Sequence, residues 1–166
     1  MRSDLIIQGR YDAKSQLISE LKKFEKYAVL GEDSEAPCEY TLMAASNNSF
    51  SVGIVASGTG ITPSSVYFER EDLYFVGFDA TVIMVDPNTG NQRTISKFLG
   101  VFYAFFDLGE NGVIVINELG ASKLTSKGEV AWRFEAGDIV SSWELVEEQK
   151  LRLTLIDGRE TEVYVP

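Results

Sequence analysis

Paired carboxylates are the residues in this sequence that come nearest to catalytic chemistry. Glu147 and Glu148 are adjacent, and Glu160 and Glu162 are separated by one residue. Two carboxylates at a suitable distance can divide acid and base work in glycoside hydrolysis. However, strand alternation places Glu160 and Glu162 on one solvated face, and Glu147-Glu148 lead into a turn. The pattern therefore predicts surface charge, and we assign no catalytic residue.

The sequence gives no more support to nucleophilic catalysis or to a metal site than to carboxylate catalysis. The chain has no histidine, which removes His-based triads, most zinc sites and the usual acid–base group near neutral pH. The single cysteine, Cys38, lies between Glu35 and Glu39, and negative charge around a thiol disfavours the reactive thiolate. Ser19 and Lys22 have the Ser-x-x-Lys spacing of some acyl enzymes, without the companion motifs. We predict a protein that is not an enzyme and that holds no cofactor or metal.

Two glycine-containing segments begin like ligand loops. Gly58-Thr-Gly60 is typical of phosphate-binding loops, but Ile61-Thr-Pro63 follows where Lys and Ser or Thr should lead into a helix. Asp86-Pro-Asn-Thr-Gly90 begins like a calcium loop, but Lys97 occupies the position of the bidentate Glu. We predict a turn at the second segment. A flexible connection is the simpler interpretation of Ser57–Ser65, with a small-ligand or enzymatic site as the alternative.

The elements that must position any site are predicted to be mainly strands. The chain has 166 residues, a hydrophobic fraction of 45% and an aromatic fraction of 11%, which fits a compact β-rich domain. No apolar run approaches the roughly 18 residues of a membrane-spanning helix. Met1–Gly9 has too few consecutive apolar residues for a signal peptide, and a lone cysteine agrees with a reducing compartment. We expect a cytoplasmic protein that does not enter a membrane.

The excess of acidic over basic residues limits the kinds of partner that the protein could bind. The chain has 25 acidic and 15 basic residues, for a formal net charge of −10, and acids exceed bases on both sides of Leu73. Binding to nucleic acid needs clustered Lys and Arg to neutralise phosphates, so we expect none. The simplest interpretation is that the negative charge keeps the protein soluble. The functional interpretation is that the charge attracts a basic protein.

Residues 1–72 are predicted to hold a helix and a hairpin. Asp12 offers an N-cap oxygen, and apolar residues follow it at spacings of three and four, which predicts a helix over about 13–29. The apolar positions are Leu17, Ile18, Leu21, Phe24 and Ala28. Asn47-Asn48 favours the tight turn of a hairpin over about 40–56. Strand alternation puts Phe50, Val52 and Ile54 on one face, and Gly53 on the other face admits a close neighbour.

Residues 73–166 are predicted to form two units of four short strands and a final hairpin. The first unit has strands over 73–78, 81–85, 91–95 and 101–106, and the second over 113–117, 121–125, 129–134 and 139–146. The hairpin joins 150–156 to 159–165 through Asp157-Gly158. The polar break at Arg70–Asp72 separates the two regions. About 70 residues is near the lower limit for an independent core, so we expect the first region to pack on the second in one compact domain.

Two segments carry a resemblance to a known family. Asp86, Thr89 and Gly90 in the first unit, and Gly128 and Trp132 in the second, resemble the blade repeats of quinoprotein-type (PQQ-like) β-propellers. The resemblance covers about residues 73–165. Thr94 stands where the first Trp would be, and Ser126 where the second Asp would be. In that family the Asp-to-Gly segment is a turn and the Trp packs between blades, so the resemblance implies no cofactor.

The blade count determines which fold is expected. A closed propeller needs at least about four blades of roughly 40 residues, and this chain supplies two and a hairpin. We therefore expect a mainly β (α+β) fold of antiparallel, blade-like sheets that do not close, with one N-terminal helix packed on them. Exposed sheet edges must then be covered by the N-terminal region or by a partner. Trp132 and Trp143 are predicted to pack in the core between blades.

The leading hypothesis for function is a non-enzymatic acidic module that binds a protein partner, and a basic one in particular. Size and acidity are similar, at the level of the class, to bacterial immunity proteins that neutralise cationic toxins such as nucleases. The partner-binding candidates are Glu32, Asp33, Glu35 and Glu39, followed by Asp107 and Glu110. One alternative is the ligand or enzymatic site at Ser57–Ser65. Another is a structural protein that dimerises through sheet edges, and the oligomeric state is left open.

Overall fold

The computed structural model describes residues 3–166, which form four β-sheets and one α-helix. The first sheet holds β1 (Leu5–Tyr11), β2 (Tyr27–Leu30), β3 (Glu39–Ala45) and β4 (Ser51–Ala56), and the helix is α1 (Lys14–Leu21). The second sheet holds β5 (Ser64–Phe68), β6 (Leu73–Phe78), β7 (Thr81–Val85) and β8 (Gln92–Lys97). The third holds β9 (Phe102–Asp107), β10 (Val113–Asn117), β11 (Gly120–Leu124) and β12 (Val130–Glu135), and the fourth holds β13 (Val140–Glu147), β14 (Lys150–Leu155) and β15 (Glu160–Tyr164).

The last three sheets are antiparallel meanders in which each strand pairs with the next one along the chain. The first sheet differs, with the order β1-β3-β4-β2 and a parallel pairing of β2 with β4. The hairpin predicted over 40–56 is confirmed as β3 and β4, and Asn48 in its turn has a φ of 56°. The hairpin over Asp157-Gly158 is confirmed as β14 and β15.

The helix is shorter than predicted. It ends at Leu21, and the chain then forms β2, whose residues Tyr27–Leu30 pair with Ser51–Ile54 of β4. Ala28, which was assigned to the apolar face of the helix, is instead buried in this strand. The prediction was wrong because periodicity measures local preference, whereas β2 gains backbone hydrogen bonds and burial from a strand more than 20 residues away.

The start of the helix also differs from the prediction. Asp12 does not cap it. Instead, the Gln16 side chain reaches back, and its Oε1 accepts hydrogen bonds from the backbone N–H groups of Asp12 and Ala13, both at 3.2 Å. In a capping box, the N-cap and N3 side chains each accept a hydrogen bond from the other residue's backbone N–H. Here only the N3 side chain, that of Gln16, makes its bond.

Gly53 explains how closely α1 packs on the first sheet. A Cβ at this position would come within 2.5 Å of Leu21 Cδ1 and 3.0 Å of Leu17 Cδ2. The predicted close neighbour of Gly53 is thus confirmed, and it is the helix. Phe50, Val52 and Ile54 lie on the other face of β4, in the core shared with the second sheet.

Three successive cores hold the four sheets in one stack. The first core joins the first and second sheets, the next joins the second and third, and the last joins the third and fourth. The third sheet contributes side chains to two cores, because Phe102 packs toward the second sheet while Ile114 and Ile116 pack toward the fourth. The fold is therefore a row of blade-like sheets that does not close.

The strands are grouped differently from the prediction. The second sheet begins at Ser64, so the polar turn at Arg70–Asp72 lies inside a hairpin of that sheet. The third sheet takes its first strand from Phe102–Asp107, and Val140–Glu147 joins the final hairpin in a three-stranded sheet. Hydrophobic patterns mark where strands lie but not which of two neighbours a strand pairs with, and this explains the shift.

The two end faces of the stack are covered in different ways. Helix α1 covers the outer face of the first sheet through Leu17 and Leu21. The outer face of the fourth sheet is polar, where Arg152 contacts Glu162 at 2.7 Å and Glu144 at 3.4 Å, and Lys150 contacts Glu162 at 2.7 Å. The prediction that the N-terminal helix packs on the sheets is therefore confirmed, and the surface that it covers is a face of the first sheet.

The structure also bears on the membrane prediction. Among residues 3–166, no helix has the length and apolar character needed to cross a bilayer. Met1 and Arg2, at the start of the segment considered as a signal peptide, lie outside the described residues.

Candidate functional site

The loop between β2 and β3 holds most of the predicted partner-binding residues. Glu32, Asp33, Glu35 and Glu39 are all exposed there or at the start of β3. The Asp33 carboxylate pairs with Lys14 at 2.7 Å and accepts a hydrogen bond from the Tyr40 hydroxyl at 3.0 Å. These hydrogen bonds, from Lys14 first and then from Tyr40, hold the pKa of Asp33 below its ordinary value.

The other three carboxylates of this loop have no cationic partner within the part of the chain that the structure describes. Among residues 3–166, Glu32, Glu35 and Glu39 form no ion pair. Lys14 and Tyr40 anchor the loop through Asp33 alone, which leaves three charges directed to solvent. An exposed carboxylate without an ion pair adds little to the stability of the fold.

A second loop lies beside the acidic one. Ser57, which follows β4, donates hydrogen bonds from its backbone N–H and its hydroxyl to the Asp79 carboxylate, each at 3.0 Å. A Cβ on Gly58 would lie 3.6 Å from the Pro37 carbonyl oxygen and 3.8 Å from Glu39 Cγ. The loop between β4 and β5 and the loop between β2 and β3 therefore form one continuous surface.

A groove of about 640 Å³ opens next to these loops, between the outer parts of the first and second sheets. We call the acidic residues of its lining, Glu32 and Asp79, the groove mouth. The lining also includes the cation Lys97 and the almost fully buried Val55 and Phe78. We call the two loops, with Glu32 and Asp79 at the groove mouth, the acidic end. The structure brings four of the six predicted residues together there.

Asp107 and Glu110 lie elsewhere. The pairing of β1 with β3 sets Tyr11 opposite Tyr40 and Leu5 opposite Ala45, so residues next to Leu5 lie at the opposite end of the sheet from the acidic end. Asp4 is at that far end. Partial burial raises the pKa of the Asp4 carboxyl, and the negative charge of Asp107 adds to the rise, which places Asp107 near it. Asp107 is also used locally, since its Oδ1 accepts a hydrogen bond from the Gly109 N–H at 2.7 Å.

The two tryptophans pack between the third and fourth sheets, as predicted. Trp143 stacks on Tyr103 with ring centroids 5.0 Å apart, and Trp132 is nearly parallel to Phe134 at 6.2 Å. Both tryptophans are half-buried against the last core. Their geometry is that of packing residues.

A second groove, of about 530 Å³, was not indicated by the sequence. It lies beside the loop after β8 and strand β12, and its apolar lining includes Leu99, Phe134 and Ile139. Leu99 is 97% exposed. Arg133 and Glu135 of β12 also line the groove. These residues come from separate strands and loops, so no local pattern in the sequence joins them.

Residues 3–166 contain no group of three or more Cys, Asp or Glu side chains placed to hold a metal ion. The segment Asp86–Gly90 is a turn, as predicted, because Asp86 Oδ1 accepts a hydrogen bond from the Asn88 N–H at 2.7 Å. The Gly90 N–H closes the turn on the Asp86 carbonyl at 2.8 Å.

No protein-family model matches the chain, and a search of curated proteins likewise found no match. The likeness to propeller blades is therefore one of architecture, in which several four-stranded antiparallel sheets lie in an unclosed row.

Proposed function

We propose that the protein is a non-enzymatic binding module that captures a basic protein partner at its acidic end. The observation that carries the proposal is the set of three exposed carboxylates, Glu32, Glu35 and Glu39, that have no cationic partner within residues 3–166. They project from loops held by the Lys14–Asp33 ion pair and by the hydrogen bonds of Ser57 to Asp79. A charged surface on an anchored loop loses little conformational freedom on binding.

Electrostatics defines the kind of partner. With a net charge of −10, the chain attracts a cationic protein at long range, and the acidic end concentrates that attraction in one place. The groove mouth offers Glu32 and Asp79 to a Lys or Arg side chain. Lys97 also lines the groove, and its positive charge would repel a Lys or Arg side chain that went beyond the groove mouth.

A basic bacterial toxin, such as a nuclease, is the partner class that fits this proposal most closely. A nuclease carries clustered Lys and Arg because it must neutralise phosphates, and an acidic protein can occupy that same surface. The module would then act as an immunity or inhibitor protein. Support for this step comes from charge and size rather than from a shared motif.

The competing proposal, a ligand or enzymatic site at Ser57–Ser65, has weaker support. The Ser57 hydroxyl is bound to Asp79 at 3.0 Å, and Thr59 Oγ1 accepts a hydrogen bond from the Ile61 N–H at 3.3 Å. These hydroxyl groups are thus engaged within the protein. The loop makes better sense as a support for the neighbouring acidic loop.

Affinity capture in a salt series tests the proposal. The protein is immobilised and exposed to a lysate of the organism that it comes from. The captured proteins are then identified at increasing salt concentration. We expect a basic protein whose recovery falls as salt rises, and whose recovery is lost with the triple variant E32Q/E35Q/E39Q. Co-expression of the captured protein with the module should then suppress its toxicity.

A matched triple variant separates local recognition from net charge. Glu129, Glu147 and Glu148 are also exposed but lie on other parts of the stack. E129Q/E147Q/E148Q removes the same three charges and should retain the partner. Equal loss of the partner in both triples would contradict the acidic end as the site, and salt-independent capture would contradict the electrostatic mechanism.

A further inference from the structure

Strand β12 is one of four outer sheet edges in the stack. On the inner side, β5 contacts both β1 and β9, and Trp143 of β13 stacks on Tyr103 of β9, so these four strands lie together. The sheet orders therefore leave β2, β8, β12 and β15 as the outer edges of the described chain. Each such edge presents backbone N–H and C=O groups that another strand can pair with.

Three of these edges oppose pairing with a copy of themselves. Strand β8 carries the cations Arg93 and Lys97 and no acid, and β15 carries Glu160 and Glu162 and no base. Self-pairing of either strand would bring like charges together. Strand β2 has only four residues, and its Val29 carbonyl already accepts a hydrogen bond from Gln92 Nε2 at 2.9 Å.

The hydrogen bonding of β12 determines which of its backbone groups face outward. The Ala136 N–H donates to the Leu119 carbonyl at 2.9 Å, so Ala136 is directed toward β11. The backbone groups of a strand alternate in direction, and the pairing of β12 with β11 is regular from Trp132 to Glu135. Phe134 therefore also faces β11, and the N–H and C=O groups of Arg133 and Glu135 face the open edge.

Charge then selects one register for a second copy. In an antiparallel pair centred on Phe134, Arg133 of each copy lies opposite Glu135 of the other copy. Arg133 and Glu135 are exposed, and neither forms an ion pair within residues 3–166. A shift of the centre to Arg133 sets two arginines opposite each other, and a shift to Glu135 sets two glutamates opposite each other. Both shifted registers are penalised by like charge.

The same register also pairs the outward-facing backbone groups of the two strands and leaves space for their apolar side chains. The outward-facing residues Arg133 and Glu135 become the hydrogen-bonded pairs, and the two Phe134 residues become a closely spaced pair without backbone bonds. Each Trp132 lies opposite Ala136 of the other copy, which leaves room for the indole. Hydrogen bonds, charge and side-chain size agree on a single two-fold arrangement.

We propose that the chain forms a two-fold symmetric dimer in which two β12 strands pair antiparallel about Phe134. The two third sheets become one continuous sheet of eight strands, and the open edge of each is closed by the other. The contact is isologous, so the assembly stops at two copies. This inference goes beyond the proposed function and does not depend on it, because the acidic end lies on the first and second sheets whereas β12 belongs to the third. A dimer would present two acidic ends to partners.

Sedimentation of charge-swapped variants tests the arrangement. We expect the unmodified protein to show a concentration-dependent dimer. R133E sets Glu opposite Glu at both pairs and E135R sets Arg opposite Arg, so each variant should raise the dimer dissociation constant about tenfold or more. An equimolar mixture of R133E and E135R restores both opposite-charge pairs between unlike copies. The mixture should therefore dimerise at lower concentration than either variant alone.

A control and a folding measurement make each outcome decisive. R93E places the same substitution on β8, the exposed edge of the second sheet, and should leave the dimer unchanged. Circular dichroism confirms that every variant is folded, which is expected because all three positions are exposed. A monomer at every concentration up to about 1 mM overturns the proposal. A dimer lost with R93E, or not restored in the mixture, overturns it equally.

Discussion

The ring of Phe102 occupies the space directly over Gly77, and this contact joins the second and third sheets. A Cβ at Gly77 would overlap three atoms of that ring, Cε2, Cζ and Cδ2. Phe102 is fully buried and also packs against Phe105, with ring centroids 4.8 Å apart. The distance between the two sheets thus depends on Gly77, because only a residue without a side chain leaves room for the ring of Phe102.

Gly77→Ala should lower stability without changing the strand content. The ring of Phe102 has no free space to enter, so the added methyl forces the sheets apart or the ring off its rotamer. Overpacking of this kind costs about 1–3 kcal/mol of unfolding free energy, measurable by urea denaturation. In an F102L background the smaller side chain should reduce the cost. An equal cost in both backgrounds would mean that the substitution acts through the backbone and not through this contact.

Gly53→Ala should loosen the helix selectively. The added methyl would meet Leu21 Cδ1 and Leu17 Cδ2. Because α1 packs on the outer face of the first sheet, away from the three inter-sheet cores, it can move outward while those cores stay intact. We expect faster hydrogen exchange at the amides of α1, with unchanged protection in β10 and β14. Equal loss of protection across all sheets would show that the helix unfolds only with the whole molecule.

The ion pairs on the outer face of the fourth sheet predict a pH dependence. Hydrogen bonds from Lys150 and then Arg152 hold the pKa of Glu162 below its ordinary value of 4.5. A carboxylate with a lowered folded pKa adds stability above its unfolded pKa and loses that contribution as pH falls through the folded pKa. E162Q should therefore unfold at lower urea than the unmodified protein at pH 7, and at the same urea at a pH well below 4.5.

Salt and a neighbouring glutamate provide the checks on that prediction. Added salt should shrink the difference at pH 7, since the pairs are exposed and screened. Glu160 lies on the same strand, but among residues 3–166 it is in no ion pair, so E160Q should change the midpoint less. If E160Q and E162Q shifted the midpoint equally, net charge rather than pairing would be responsible.

Particular residues show how far the sequence alone could predict this fold. Alternation along β4 correctly separated Phe50, Val52 and Ile54 from Gly53, because the two-residue period is a local property of a strand. The strand at Tyr27–Leu30 was missed because its stability comes from pairing with β4, which no local pattern encodes. The sequence indicated the acidic loop by composition, whereas the β12 edge depends on register and on hydrogen-bond direction.

Asp79 links the stability of one loop to the proposed function. It has a left-handed φ of 48°, and its carboxylate accepts hydrogen bonds from the Ser57 N–H and hydroxyl. Asp79→Ala removes both acceptors and leaves a residue less suited to that backbone conformation, so stability should fall by about 1–3 kcal/mol. Asp79→Asn keeps an acceptor oxygen and tolerates the conformation, so its cost should be smaller. Exchange at the Ser57 amide should accelerate more in the Ala variant.

The same two variants separate loop geometry from charge in partner binding. Both remove one negative charge at the groove mouth, so any difference between them reports the support that Asp79 gives to the loop. That loop packs against Pro37 and Glu39, and a detached loop would leave the acidic end less ordered. We expect the Ala variant to bind a basic partner more weakly than the Asn variant, through faster dissociation. Equal weakening would show that only the charge of Asp79 matters, and that the acidic end binds without a fixed shape.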